Sequence, residues 1–244
     1  MDERSKYYNI YLKRLNRYGE NYQTRIQNKR EEEFEYYLLK SVYRIDFEYE
    51  DEIHPATFER YKQDETETLH YLLTRTTLNI PNGTILMIPD KDNKLKPWMI
   101  YYLEAIRASG YNRYVVLKMT HFITWKDRKQ EERSSWAYLY GQENNMLKDE
   151  LQSRSRAAAR YTENLKLSFL IMPLNEFIKK DVYLEIGEDP FKEGYRVTGY
   201  DIQSSLGVEY VSIDPVYLYD TTPAPQKTPE DKDEDYFWLQ GGND

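Results

Sequence analysis

Apolar residues along this chain change their period twice, and the changes mark out its elements. Up to residue 45 they recur at helical spacing. Tyr7, Tyr8, Ile10, Tyr11 and Leu15 come first, then Ile26, Phe34, Tyr37, Leu38, Val42 and Tyr43, with Asn16-Arg-Tyr-Gly19 as a stop between them. Lys29 to Glu33, a run of charges in the second helix, reads as a solvated face. From Val42 to Tyr49 the sequence VYRIDFEY alternates, which predicts a strand closed by Glu50-Asp-Glu52. His54 to Gln63 reads as a strand or an irregular lead-in. Beyond it lie short apolar runs punctuated by turn residues at Pro81-Asn-Gly83 and Pro89-Asp-Lys-Asp-Asn93. The stretch Pro97–His121 predicts two strands, Trp98–Ile106 and Arg113–Thr120, around the turn Ala108-Ser-Gly-Tyr-Asn112. Trp136-Ala-Tyr-Leu-Tyr140 is strand-like, and Asn144–Arg160 reads as helix or linker.

The pattern then repeats. Glu65–Ile88 can be laid without gaps on Glu163–Ile186, so that Leu69, Leu72, Ile80, Leu86 and Ile88 fall on Leu167, Leu170, Ile178, Leu184 and Ile186. One loop adjustment brings Trp98 onto Tyr195, and a second brings Tyr114-Val115 onto Tyr210-Val211. Apolar class, turn position and order agree together, which points to a duplicated β module. Two copies are too few for a solenoid. The fold class that follows is mainly β with an N-terminal helical segment and two tandem small β-barrel or β-sandwich modules. The expected division is a helical segment over 1–45, a first β module over 46–141, a linker or helix over 142–160, a second module over 161–220, and an extended acidic arm over 221–244.

Composition refines this picture. With 25 Tyr against 8 Phe, much of the apolar contact surface ends in a hydroxyl, which suits half-wet sheets and interfaces. Mean hydropathy is −0.88. Net charge is −8, which argues against wrapping a nucleic-acid backbone, since that needs a basic face. Absence of Cys removes disulfides and thiol nucleophiles. The charged start, Met1-Asp-Glu-Arg-Ser-Lys6, reads as no signal peptide, and no run approaches the roughly 18–20 apolar residues of a membrane span. The expectation is a soluble chain with no membrane partner.

Catalytic patterns are missing from the sequence. His54, His70 and His121 are scattered without ligand spacing, and each reads as a structural residue. No Gly-rich phosphate loop and no GxSxG elbow occur. The expectation is no enzyme, no metal and no cofactor. Two stretches read as candidate contacts instead. Arg154, Arg156 and Arg160 concentrate positive charge that could meet phosphate or an acidic neighbour, or form a solvated face. Tyr236, Phe237, Trp238 and Leu239 end a polar arm with prolines at 223, 225 and 229, an arrangement suited to docking on another surface. Trp98 and Tyr195 are the expected core or rim aromatics of the two modules.

Several segments also carry a family likeness: Asn82-Gly-Thr-Ile-Leu86, Pro97-Trp-Met-Ile100, Glu104 and Gly110-Tyr-Asn-Arg-Tyr-Val115. The second copy has Val182-Tyr-Leu-Glu-Ile186, Gly194-Tyr-Arg-Val-Thr-Gly199 and Gly207-Val-Glu-Tyr-Val211, and Tyr61-Lys-Gln-Asp-Glu-Thr66 precedes the first. Over about 58–120 and 165–219 the chain resembles the head-closure and stopper proteins of tailed bacteriophages. Those are typically one small barrel, whereas this chain adds a helical segment and a second copy. The resemblance implies a virion protein, assembled in the host cytoplasm, that forms a ring with its own copies at the head–tail junction. Its partners would be the portal and other neck or tail proteins, with DNA passing through without specific binding. The rival readings are a carbohydrate- or protein-binding β module of a tail or fibre complex, and an OB-like barrel that stacks single strands.

Overall fold

The computed structural model describes residues 3–15, 21–61, 67–90, 92–104, 110–127, 129–140, 168–187, 192–203 and 207–216. Two helices come first, α1 (Glu3–Leu15) and α2 (Tyr22–Lys40). The Asn21 side chain starts α2 by accepting from the Thr24 amide at 2.8 Å, and the Ser41 amide closes it on the Tyr37 carbonyl. Of the charged run 29–33, Lys29, Glu32 and Glu33 are exposed, while Glu31 accepts from Gln27 and from Thr76, in a turn of the β unit below.

Twelve strands follow: β1 (Arg44–Tyr49), β2 (Glu52–Arg60), β3 (Leu69–Arg75), β4 (Ile85–Pro89), β5 (Leu95–Glu104), β6 (Tyr111–Lys118), β7 (His121–Lys126), β8 (Glu132–Tyr140), β9 (Ser168–Pro173), β10 (Tyr183–Ile186), β11 (Glu193–Gln203) and β12 (Val208–Pro215). The first six form an antiparallel sheet in the order β1-β2-β3-β6-β5-β4. The last six form a closed barrel, β7-β8-β9-β12-β11-β10, sealed where β7 pairs with β10.

The two orders are the same, strand for strand. Leu86 faces Trp98 as Leu184 faces Tyr195. Both ladders then slip at the same place, between Ile100 and Tyr102 and between Val197 and Gly199. Even the turn before β4 matches: Gly83 and Asp181 both have positive φ, at 84° and 71°, and Asp is among the few side chains that enter that region readily. The repeat is longer than the sequence pattern alone gives it. Phe58 faces Leu72 as Leu139 faces Leu170, and Ile45 faces Ala56 as His121 faces Ala137, so β1 and β2 correspond to β7 and β8.

Two expectations are corrected. The first module spans Arg44–Lys118 and the second His121–Pro215, so 121–140 belongs to the second unit and not to the first. The boundary is a single step of the chain. The Met119 amide bonds back to Pro97 of the first sheet, and the Thr120 amide bonds forward to Ala137 of the barrel. Residues 142–160, themselves outside the described residues, therefore fall between β8 and β9 of one barrel and do not separate two modules. The second correction is one residue of register. Leu72 faces Tyr114 and Leu170 faces Val211, so Tyr114 corresponds to Val211, not to Tyr210. Matching the two Tyr-Val pairs by letter would place side chains on opposite faces, since one residue of slip turns a strand over.

Three layers of apolar side chains hold the units. Phe47, Leu72, Leu86, Ile88, Trp98, Ile100, Tyr114 and Val116 fill the first, and Ile123, Trp125, Leu170, Leu184, Ile186, Val197, Val211 and Ile213 fill the second. The third lies between the units. Leu69, Met99, Tyr101, Val115, Leu117 and Met119 on the outer face of the sheet pack against Tyr138, Tyr140, Phe169, Ile171, Val208 and Tyr210 on the outer face of the barrel. Central strands are therefore buried on both faces, which explains why 98–103, 114–117 and 169–172 read as unbroken apolar runs.

Candidate interaction surfaces

Of the residues singled out from sequence, Trp98 is buried inside the first unit, edge-on to Phe58 and His70 at ring separations of 4.9 and 4.8 Å. Tyr195 occupies the matching position in the barrel but sits half-buried at its rim, donating to Glu193 at 2.7 Å. Burial and that carboxylate push its phenol up to about 12. Arg154, Arg156, Arg160, Tyr236, Phe237, Trp238 and Leu239 lie outside the described residues.

Tyrosine hydroxyls serve the interior and the join between the units. Tyr114 is fully buried, yet its hydroxyl accepts from the Ile80 amide and donates to the Leu78 carbonyl, both at 3.0 Å. Tyr101 and Tyr210 share a hydrogen bond of 2.6 Å across the inter-unit layer. Backbones also touch there: a Cβ on Gly83 would strike the Gly207 carbonyl, and one on Gly207 would strike that of Asn82. Gly110, the repeat partner of Gly207, is pressed in the same way against the α2 backbone at Arg30. The same hairpin end is thus capped in each repeat, once by α2 and once by the first unit. The sequence signal was a glycine in each turn, but spacing alone does not say that something crosses it.

The covering elements differ in what they leave exposed. α2 buries Phe34 and Leu38 against Leu73, Tyr71 and Tyr111, and Arg75 grips Glu35 through two nitrogens at 2.5 and 2.9 Å. Its other faces present Tyr22, Tyr36 and Leu39 to solvent, followed by Val42 and Tyr43. On α1, Tyr7, Tyr8, Ile10 and Tyr11 are 71, 62, 41 and 58% exposed, and no α1 residue enters any of the described core clusters. That is far more apolar surface than a folded unit normally leaves bare on one short segment.

A cleft of about 520 Å³ opens at one end of the barrel, lined by Trp125, Asp127, Glu132, Asp181, Tyr183 and Glu185 among others. Its carboxylates are largely committed: Asp127 to Arg133 and the amides of Lys129 and Glu131, Asp181 to Arg196, and Glu185 to Lys192. Among the described residues no group of three or more His, Asp or Glu could hold a metal ion.

One carboxylate inside the barrel is different. Glu209 is completely buried, and neither of its oxygens makes a well-formed hydrogen bond among the described residues, the Asn175 amide being only near it. Burial raises its pKa to about 8, outweighing the pull of the Asn175 amide and Lys179 toward the charged form. Its repeat partner is Asn112, whose amide donates to the Leu78 carbonyl at 2.8 Å. A protonated carboxyl carries the donor that Asn112 has there and a carboxylate lacks. Since the folded state holds this proton more tightly than the unfolded chain, Glu209 destabilises the fold increasingly as pH rises from 4.5 to 8. Glu209→Gln is expected to match the native protein near pH 4 and to exceed it by a few kcal/mol at pH 8–9, each tenfold gain in proton affinity being worth about 1.4 kcal/mol. Urea unfolding across that range measures it, and a gap that does not widen with pH contradicts it.

No protein-family profile and no curated protein matches the chain. Among solved structures it is similar to MrkH of K. pneumonia in its apo state, at 7% identity and a TM-score of 0.25, over 79% of this chain and 85% of that one. The MrkH–c-di-GMP complex gives 8% identity and a TM-score of 0.26, over 79% and 87%.

Proposed function

We propose that this chain is a non-enzymatic structural protein of the neck of a tailed bacteriophage, forming a ring with its own copies at the portal and joining head to tail. The observation that carries the reading is the double β unit bearing stopper-like segments in both copies, with aromatic helices left uncovered outside it. Two β units sharing one apolar layer make a stiff block, because neither can rotate without exposing Tyr101, Leu117, Phe169 and Tyr210. The uncovered tyrosines of α1 and α2 supply large contact area at low entropy cost, as interface residues do. Heterologous contacts that close on themselves turn such surfaces into a ring. A net charge of −8 suits a passage through which DNA slides without sticking. The rival glycan-binding reading would use the barrel cleft with the exposed Tyr183, and a glycan array on the purified protein decides for or against it.

An amber mutation in the corresponding phage gene tests the proposal. The expected result is filled or leaking heads and separate tails, rescued by the protein supplied in trans. Joined, infectious particles made without it would refute the reading.

A further inference from the structure

α1 has 13 residues, about the length at which an isolated helix is marginal in water, and it contributes nothing to the described cores. Tyr7, Tyr8, Ile10 and Tyr11 stand exposed along it. Tyr7 and Tyr11 are four residues apart, and Tyr8 and Tyr11 three, so they are neighbours on its surface. In sequence the helix carries Arg4, Lys6, Lys13 and Arg14 against Glu3 alone. A basic, tyrosine-faced helix in a chain of net charge −8 is a local reversal of sign, and the chain contains its complement. The segment 230–239 reads Glu-Asp-Lys-Asp-Glu-Asp-Tyr-Phe-Trp-Leu, five carboxylates followed at once by four large apolar residues.

We propose that α1 is the docking site for residues 230–239 of a neighbouring copy. Carboxylates of the segment would meet the basic side chains of α1 while Tyr236–Leu239 cover its tyrosines. The lengths allow it: 13 helical residues span about 20 Å, and ten extended ones reach about 33 Å. Opposite charge steers the encounter, and burial of Phe237 and Trp238 holds it. A swapped contact of this kind links each copy to the next, and in that role the proposal rests on the ring reading given above.

The test mixes equal amounts of full-length ¹⁴N- and ¹⁵N-labelled protein and treats them with a carbodiimide, which joins an ammonium only to a carboxylate in contact with it. The expected links run from Lys6 or Lys13 to residues 230–235 and include mixed-isotope pairs. They should be lost in R4E/R14E, which keeps both lysines, in F237A/W238A, and at high salt, while circular dichroism of each variant stays native. Links found only within one isotope would show the segment folding onto its own helix and would overturn the proposal. So would the absence of any α1 link, or α1 binding to anionic vesicles or DNA with the segment untouched. Mixed-isotope links in a protein absent from particles would leave this contact standing and remove the neck reading alone.

Discussion

Leu117→Asp is expected to lower the unfolding free energy by about 3–5 kcal/mol, because it strands a carboxylate in the layer shared by the two units. Leu117 is fully buried between them. Asp is also what the second repeat carries at the same place: Met99 faces Leu117 where Arg196 faces Asp214. The face that receives the barrel on the first unit is therefore charged on the second, with Arg196 and Asp214 both exposed. A further unit docked on that face in the same way would have to bury those charges. Asp214→Leu is the control, and a surface change of this kind should fall within about 0.5 kcal/mol of the native protein. Equilibrium urea unfolding of both variants decides the matter. Equal, small effects would mean that the shared layer does not couple the two units.

Trp98→Ala should cost about 3–5 kcal/mol, the usual range for deleting a buried large aromatic. Its ring meets Phe58 and His70 inside the first unit, and the cavity left behind is walled by strands that cannot close in. Tyr195→Ala, at the same position of the repeat, should cost clearly less, because that ring is half-exposed at the barrel rim. Thermal unfolding of the pair reads the difference. A Trp98→Ala shift no larger than that of Tyr195→Ala would show that the repeat does not place Trp98 deeper.

The repeat was legible because its strands bury the same positions. Leu72 with Leu170, Ile80 with Ile178, Leu86 with Leu184 and Ile88 with Ile186 are all buried, and the ungapped spacing between them survives in the ladders. The match failed where a letter outweighed a face, at the Tyr-Val pairs. It also stopped short of β1, β2, β7 and β8, where matching positions share burial but differ in chemistry: Ile45 against His121, Phe47 against Ile123. Unit boundaries were misplaced because strands adjacent in sequence belong to different sheets across Met119 and Thr120, and nothing in composition marks that step. The candidate surface was legible only in part. Tyrosine abundance signalled contact surface, but which tyrosines face inward, as Tyr114 does, and which stay bare, as Tyr7 does, is decided by what crosses over them. Glu209 could not be found from sequence at all, since one Glu among 42 acidic residues has no distinguishing neighbour until the barrel closes around it.

A neck protein has a fixed place in the particle. Cryo-electron microscopy of purified virions, with the chain identified by fitting the double β unit into the density, tests it most directly. The expected density is a closed ring of double β units directly beneath the portal, with α1 of each copy covered by its neighbour. Particles without the protein, or with it on the capsid shell or the tail fibres, would rule out a place in the neck.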